Sequence, residues 1–344
     1  MNSRIIKFVA GAGKTTYSVD YSKANEGGLY LAFTNSVVGD ARMAGCVSLT
    51  IDSLFSSFLI PKLAAFTPLV PRGFKIQQIP EHTTNQTALS AKNIRIDKEG
   101  KLFNRSKEIN GVTLKTSSDA LHGMGSFPNA IALRHIFSRD TLRIDHSHLS
   151  GLAEFLVHNH DREIINLLKN RFSYIIIDEA QDLKGYRETF AQILHDSDIE
   201  LIVLGDEHQN VNNGGAWFQG LDPDETKNTT YRCPEGVCGW IRDNLGIEIY
   251  GTEEPGQYVS IELDNNVLGL DDGSRTLLYN ARSGGIVKML IDTWSGPSCT
   301  IKSIKGRTIK EDVVVIGGGL NLCNLYTAIT RSEKNVYSTV KLTR

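Results

Sequence analysis

The sequence predicts an α/β protein of two parallel-sheet lobes with an insertion in the first, and three observations carry that prediction. Apolar runs of strand length recur along the chain with helical stretches between several of them, as a parallel sheet requires. The run at residues 5–9 leads directly into Gly11-Ala12-Gly13-Lys14-Thr15-Thr16, a glycine-rich turn entering a helix. The run Tyr174-Ile175-Ile176-Ile177 ends in Asp178-Glu179-Ala180-Gln181-Asp182. A continuous apolar run marks a strand buried on both faces, and the C-terminal edge of such strands is where an open α/β sheet binds its ligand.

Taken in order, strand patterns at 4–9, 29–33, 47–50, 174–178 and 200–205 build the first lobe, residues 1–58 and 129–222. Between them, residues 59–128 change character: Pro, Gly, Thr, Ser and Lys are frequent, and 93–97 with 101–103 around Glu99-Gly100 form a short hairpin. This segment is read as an inserted accessory domain. Residues 151–172 are amphipathic, with Leu152, Phe155, Leu156, Ile164, Leu167 and Leu168 mostly on one side, and predict a packing helix. The second lobe, 223–344, has strand patterns at 259–263, 275–279 and 313–316, an apolar-periodic helix over 320–331 and a last strand over 336–342.

The 344 residues can bury two ordinary cores, and 40% hydrophobic with 22% charged residues excludes a disordered or fibrous chain. A formal charge of −2 does not announce a nucleic-acid binder, although enzymes that track along nucleic acid keep their basic residues in a groove. Cys46, Cys233, Cys238, Cys299 and Cys323 are scattered without a C-x-x-C pair, which argues for reduced thiols in an intracellular setting. His146-x-His148 and His158-x-His160 lack nearby cysteines and read as a solvated loop and helix surface rather than a zinc site. Neither a signal-peptide apolar core nor a spanning helix is present, so the expectation is a protein neither secreted nor membrane-spanning.

The chemistry lies at the strand ends. After the first strand, the N–H groups of Gly11, Ala12, Gly13 and Lys14 cradle phosphate oxygens, with Thr16 following in the same turn; Lys14 reaches the β- and γ-phosphates and Thr15 ligates Mg²⁺. The general pattern wants glycine at position 8, where this chain has Phe8, so the loop is altered or shortened. A Gly-Lys-Thr turn by itself is as often chance. Asp178 and Glu179 change those odds: Asp178 acts on a metal-bound water and Glu179 polarises the attacking one, whereas a buried acidic pair with no metal is costly. In Gly205-Asp206-Glu207-His208-Gln209, again at a strand end, Gln209 is placed to sense the γ-phosphate or its attacking water, though alone it reads better as a surface turn. Together the residues read as a nucleoside-triphosphatase that uses Mg²⁺.

The order of these segments resembles superfamily 1 helicases. Gly13-Lys14-Thr15 is similar to motif I, Leu31-Ala32-Phe33-Thr34-Asn35 to Ia, Thr50-Ile51-Asp52-Ser53-Leu54-Phe55 to Ib, Asp178-Glu179-Ala180-Gln181-Asp182 to II and Gly205-Asp206-Glu207-His208-Gln209 to III. Thr229-Thr230-Tyr231-Arg232-Cys233-Pro234 resembles motif IV, residues 300–308 motif V and Tyr326-Thr327-Ala328-Ile329-Thr330-Arg331 motif VI. The resemblance implies two RecA-like lobes, Arg232 and Arg331 as arginine fingers beside the catalytic Lys14, Glu179 and Gln209, and Tyr231 stacked on the base. It implies single-stranded RNA or DNA held at Thr34, Asn35, Thr50 and Ser53, with Trp217 the first aromatic residue after motif III.

The glutamine motif that reads adenine upstream of motif I in repair-type relatives is absent from this sequence, so other nucleoside triphosphates are expected to serve beside ATP. Motifs Ia, Ib and II look like the repair branch. Thr229 to Pro234 and Lys305-Gly306-Arg307-Thr308 look like helicases of positive-strand RNA viruses, and the short span after motif IV leaves out the large second-lobe insertion of repair helicases. The implied function is an NTP-dependent viral RNA helicase or translocase in genome replication, working in the host cytoplasm with other replication proteins. A nucleic-acid-binding NTPase of transport or packaging, or a repair-type DNA helicase, is the alternative.

Overall fold

A computed structural model describes residues 3–33, 35–63, 75–77, 94–96, 101–104, 107–113, 143–145, 149–212, 214–280, 284–317 and 320–340. Two six-stranded sheets organise them. The first runs in the order Glu225–Lys227, Ser3–Phe8, Glu200–Gly205, Tyr174–Ile177, Gly28–Ala32, Ser48–Thr50. The second runs Thr229–Pro234, Tyr250–Ser260, Val336–Ser338, Val313–Ile316, Thr276–Tyr279, Ser298–Thr300. Ser3–Phe8 pairs in parallel with both neighbours, and each described pairing of the second sheet is also parallel. Tyr174–Ile177 and Val313–Ile316 are buried at every position, which is why they are unbroken apolar runs.

The chain leaves the first sheet at Lys227 and enters the second at Thr229. Val9 N–H donates to Lys227 O at 3.0 Å, so the end of the first strand, and the loop that follows it, lie beside this crossing. By contact density the chain divides into two compact units: Met1–Asn2 with Ser48–Ile175 and Lys184–Glu200, and Ser3–Val47 with Ile176–Leu183 and Leu201–Arg344. The second unit holds the phosphate loop and the whole second sheet. One of its cores packs Val267, Leu277, Val287, Leu290, Trp294, Val314 and Ile316.

Several sequence expectations need correction. The single helix over 151–172 is two, Leu149–Asn159 and Asp161–Lys169, broken at His160, whose backbone (φ −137°, ψ 33°) is not helical. Asp161 and Glu163 then favour a fresh N-terminus. The strand expected at 259–263 is Tyr250–Ser260, which is mostly exposed or half-buried and so carries no apolar run. Glu225–Lys227, Thr229–Pro234 and Ser298–Thr300 were not expected as strands; they are short and polar. The last helix is Leu322–Ile329 and the last strand Val336–Ser338, both shorter than expected.

In the first unit, Ile94–Ile96 pairs antiparallel with Lys101–Asn104, the expected hairpin, and Lys107–Thr113 adds a third strand. Most of 59–128, with His146 and His148, lies outside the described residues. Among the described residues no helix is long and apolar enough to cross a membrane.

Candidate nucleotide site

The first strand continues through Phe8, which packs edge-on against Tyr17 at 5.9 Å, so the glycine of the general pattern is not needed there. The turn is made later. Gly13 sits at φ 84°, ψ 28°, a left-handed conformation costly to a residue with a Cβ, and it starts helix Lys14–Ala24 with no side-chain cap. The first N–H groups of that helix have no acceptor within it, and its N-terminus favours negative charge. Thr15 and Thr16 are exposed at this end, and Ala12 N–H closes the turn onto Val9 O at 3.2 Å.

Lys14 lies 3.5 Å from Glu179 Oε1. Burial opposes its charge, but Glu179, Asp178 and Asp206 outweigh that and hold its pKa above the ordinary lysine value. Asp178 continues the pairing of its strand, donating its N–H to Leu31 O at 2.8 Å, and accepts from Tyr30 Oη and, at 2.7 Å, from Glu179 N–H. Burial, with Glu179 adjacent, pushes the Asp178 carboxyl up. Glu179 goes the other way: against burial, Lys14 and Lys305 hold it below the usual carboxylate range. Among the described residues Glu179 is the one non-glycine at positive φ, 55°, a strained placement of the kind found at functional sites.

Gln209 is buried and donates to Asp206 Oδ2 at 2.7 Å; its own Oε1 accepts from Arg331 Nη2 at 2.8 Å. Arg331 also donates to Thr327 O at 2.9 Å and Arg307 O at 3.4 Å. Burial and the neighbouring Arg232 lower its pKa to about 10, leaving it charged at neutral pH. Arg232 donates to Thr330 O at 3.1 Å, and Tyr231 N–H bonds Gly11 O at 3.0 Å. The Tyr231 ring is 76% exposed, an open stacking face. A cavity of about 630 Å³ is lined by Gly11 to Tyr17, Glu179, Gln209, Tyr231, Arg232 and Arg331 among others.

The expected nucleotide and catalytic residues are therefore brought together. Those expected to hold nucleic acid are not resolved into a site. Thr34 lies outside the described residues, as does the side chain of Asn35, which begins helix Asn35–Met43. Thr50 caps helix Ile51–Leu54, accepting from Ser53 N–H at 3.0 Å and donating to Ser53 Oγ at 2.8 Å; both belong to the first unit. Trp217 is half-buried before the turn Phe218–Gly220.

Four residues at the site have no individual role in the sequence reading. Lys305 bonds Asp182 Oδ2 at 2.6 Å and Gln209 O at 3.0 Å and lies 3.3 Å from Glu179 Oε2. Its signal was its place in the Lys305-Gly306 pair. Gln181 and Asp206 stood inside runs already singled out. Tyr30 had no signal, since nothing in an apolar strand marks one hydroxyl.

Two family models match the chain. The model for the viral superfamily 1 RNA helicase core domain matches residues 151–338, more than half of it, and that for the UvrD/REP helicase N-terminal domain matches 67–213. A stretch of 73 residues is 32% identical to the RecBCD enzyme subunit RecB of Borreliella burgdorferi, covering 21% of this chain and 6% of that protein. Among solved structures, the PRRSV helicase is similar at 14% identity and a TM-score of 0.47, over 98% of this chain and 52% of that one. Arterivirus nonstructural protein 10, a helicase solved with DNA, is similar at 13% and 0.48, over 99% and 62%. This chain thus spans about half to three-fifths of the length of those helicases and a small part of RecB.

Proposed function

This chain belongs to the superfamily 1 helicases, in the family of the viral superfamily 1 RNA helicase core domain, and we propose that it is an NTP-driven motor on single-stranded nucleic acid serving genome replication. The observation that carries the reading is the 2.8 Å bond from Arg331 to Gln209 at the cavity that the phosphate loop lines. It joins a cation from beyond the last helix to the strand end beside the catalytic carboxylates.

In this reading Lys14 and the helix N-terminus bind the β- and γ-phosphates, and Tyr231 stacks on the base. Water attacks the γ-phosphorus, the bond to the β-phosphate oxygen breaks, and Glu179 takes the proton. A carboxylate held below its usual range is a weak base, which suits a loose transition state that needs orientation more than proton abstraction. Gln209 positions the water, and Arg232 and Arg331 stabilise the charge that develops on the γ-oxygens. The donor chemistry fits Mg²⁺: the Thr15 hydroxyl, exposed at the helix N-terminus, and the Asp178 carboxylate are hard oxygens that would hold the ion beside the phosphates. Such an ion would supply charge neutralisation to the phosphates.

The division into lobes 1–58 with 129–222 and 223–344, with 59–128 inserted, belongs to the same proposal, as do Thr34, Asn35, Thr50, Ser53 and Trp217 as strand contacts and the host cytoplasm as the place of work. The UvrD/REP match favours a second reading, a repair-type motor on DNA. The test is hydrolysis of ATP and GTP with and without single-stranded RNA or DNA, followed by unwinding of tailed duplexes of each. Stimulation with unwinding supports the motor, and the preferred strand selects between the readings. Hydrolysis that neither strand stimulates overturns both, and coating of strands without unwinding identifies a packaging NTPase.

A further inference from the structure

We propose that Gln181 is a positioning residue for hydrolysis: its side-chain amide holds the Glu179 carboxylate in working orientation and ties it to the strand end bearing Asp206 and Gln209. The proposal rests on the reading of Glu179 as the group that takes the proton from water. Gln181 is fully buried. Its Oε1 accepts the Asp206 N–H at 3.0 Å and its Nε2 donates to Glu179 Oε2. The direction of this amide is fixed, because a backbone N–H can only donate: the oxygen must face Asp206, and the nitrogen is left facing the carboxylate.

The surroundings are shaped for this residue. A Cβ at Gly205 would lie 2.6 Å from the Phe218 ring and 2.7 Å from Gln181 Oε1, and one at Gly214 would lie 2.1 Å from the Gln181 carbonyl oxygen. Glycine at both positions leaves room for the side chain at one end and the backbone at the other. Glu179 also needs an external guide, since its left-handed backbone places it outside any regular helix or strand. Lys14 and Lys305 reach its two oxygens at 3.5 and 3.3 Å, but an ammonium on a flexible stem is a point charge without direction. The planar amide supplies the direction. Through Asp206, which binds Gln209, which binds Arg331, the same amide connects the carboxylate to the arginine.

Two variants test it. Gln181→Met keeps the volume and removes both bonds; Gln181→Glu keeps an acceptor for the Asp206 N–H and replaces the amide donor. Steady-state hydrolysis should show kcat falling by about ten- to a hundredfold, the scale of a misplacement near 1 Å, with KM changed less than about threefold. Nucleotide affinity by calorimetry should match the parent, and melting should stay cooperative, at a lower midpoint in Gln181→Met because the Asp206 N–H loses its acceptor. In a Glu179→Gln background, adding Gln181→Met should lower the residual rate no further, because a residue that acts through Glu179 has nothing left to position. A kcat within about threefold of the parent in Gln181→Glu, or a loss additive with Glu179→Gln, overturns the proposal. If Gln181→Met melts without cooperativity, Gln181→Glu decides alone. Should Glu179→Gln by itself keep full hydrolysis, the general-base reading falls and this proposal with it; should Glu179→Gln abolish hydrolysis while both Gln181 variants turn over normally, only the positioning role falls.

Discussion

Two regions deliver an arginine to the nucleotide cavity, and they treat it in opposite ways. Arg331, following helix Leu322–Ile329, is 2% exposed and spreads its guanidinium over Thr327 O, Arg307 O and Gln209 Oε1. Arg232, on strand Thr229–Pro234, is half-buried and makes one side-chain bond, to Thr330 O. A buried charge must be fully bonded to be tolerated, so the first is fixed by the fold; the second is the one whose remaining donors the proposed function assigns to phosphate. The same residue type is held on three acceptors in one region and on one in the other.

The sharpest way to break this comparison is Arg331→Ala against Arg232→Ala. Both should lower strand-stimulated turnover by roughly 10³–10⁵, the share of an arginine finger, with nucleotide binding nearly intact. Only Arg331→Ala should also destabilise the fold, by about 2 kcal/mol or more, because it strands a buried glutamine oxygen and two carbonyls. Turnover assays and denaturant melts on the same preparations check both halves. Equal melting of the two variants would remove the distinction, and more than about a tenth of the stimulated rate in either would remove its finger role.

Lysine replacements give the next effect. Arg331→Lys should recover little, since one ammonium cannot reproduce a planar fork on three acceptors, whereas Arg232→Lys should recover about tenfold over its alanine variant. Comparable recovery at the two positions would count against the geometry. Gln209→Ala severs Arg331 from Asp206 and should cost about ten- to a hundredfold in kcat with little change in nucleotide affinity by calorimetry. The smallest effect is expected from Tyr326→Phe. The Tyr326 hydroxyl accepts Ala10 N–H at 3.0 Å, so its loss leaves a buried backbone donor unpaired for about 1–2 kcal/mol in denaturant melts, with kcat nearly unchanged.

The parts legible in sequence are those whose signal is local. Gly13 and Lys14 follow an apolar strand, and Asp178-Glu179 and Asp206 to Gln209 end two more, so period and position named the phosphate loop and both acidic edges. The helix break at His160 was missed because one apolar face continues from Leu156 to Ile164 and Leu168, all buried, while the backbone turns between them. Tyr250–Ser260 was misplaced because a strand buried on neither face has no apolar run to read. Thr50 and Ser53 are singled out by the family resemblance alone, and their hydroxyls bond each other at a helix cap.

The sequence by itself determined that strands alternate with helices and that the Gly13-Lys14 turn and the acidic pairs stand at strand ends, since side-chain period and turn chemistry act over a few residues. Only the tertiary structure decided which of them share a site. Arg331 meets Gln209 across 122 residues, Lys305 meets Asp182 across 123, and Tyr30 meets Asp178 across 148. No local rule fixes such partners; they follow from the order in which parallel strands are laid side by side, which brings distant strand ends to one edge. The Gln181 amide is the clearest case, because its direction is set by a backbone N–H in another strand end and cannot be read from its own neighbours.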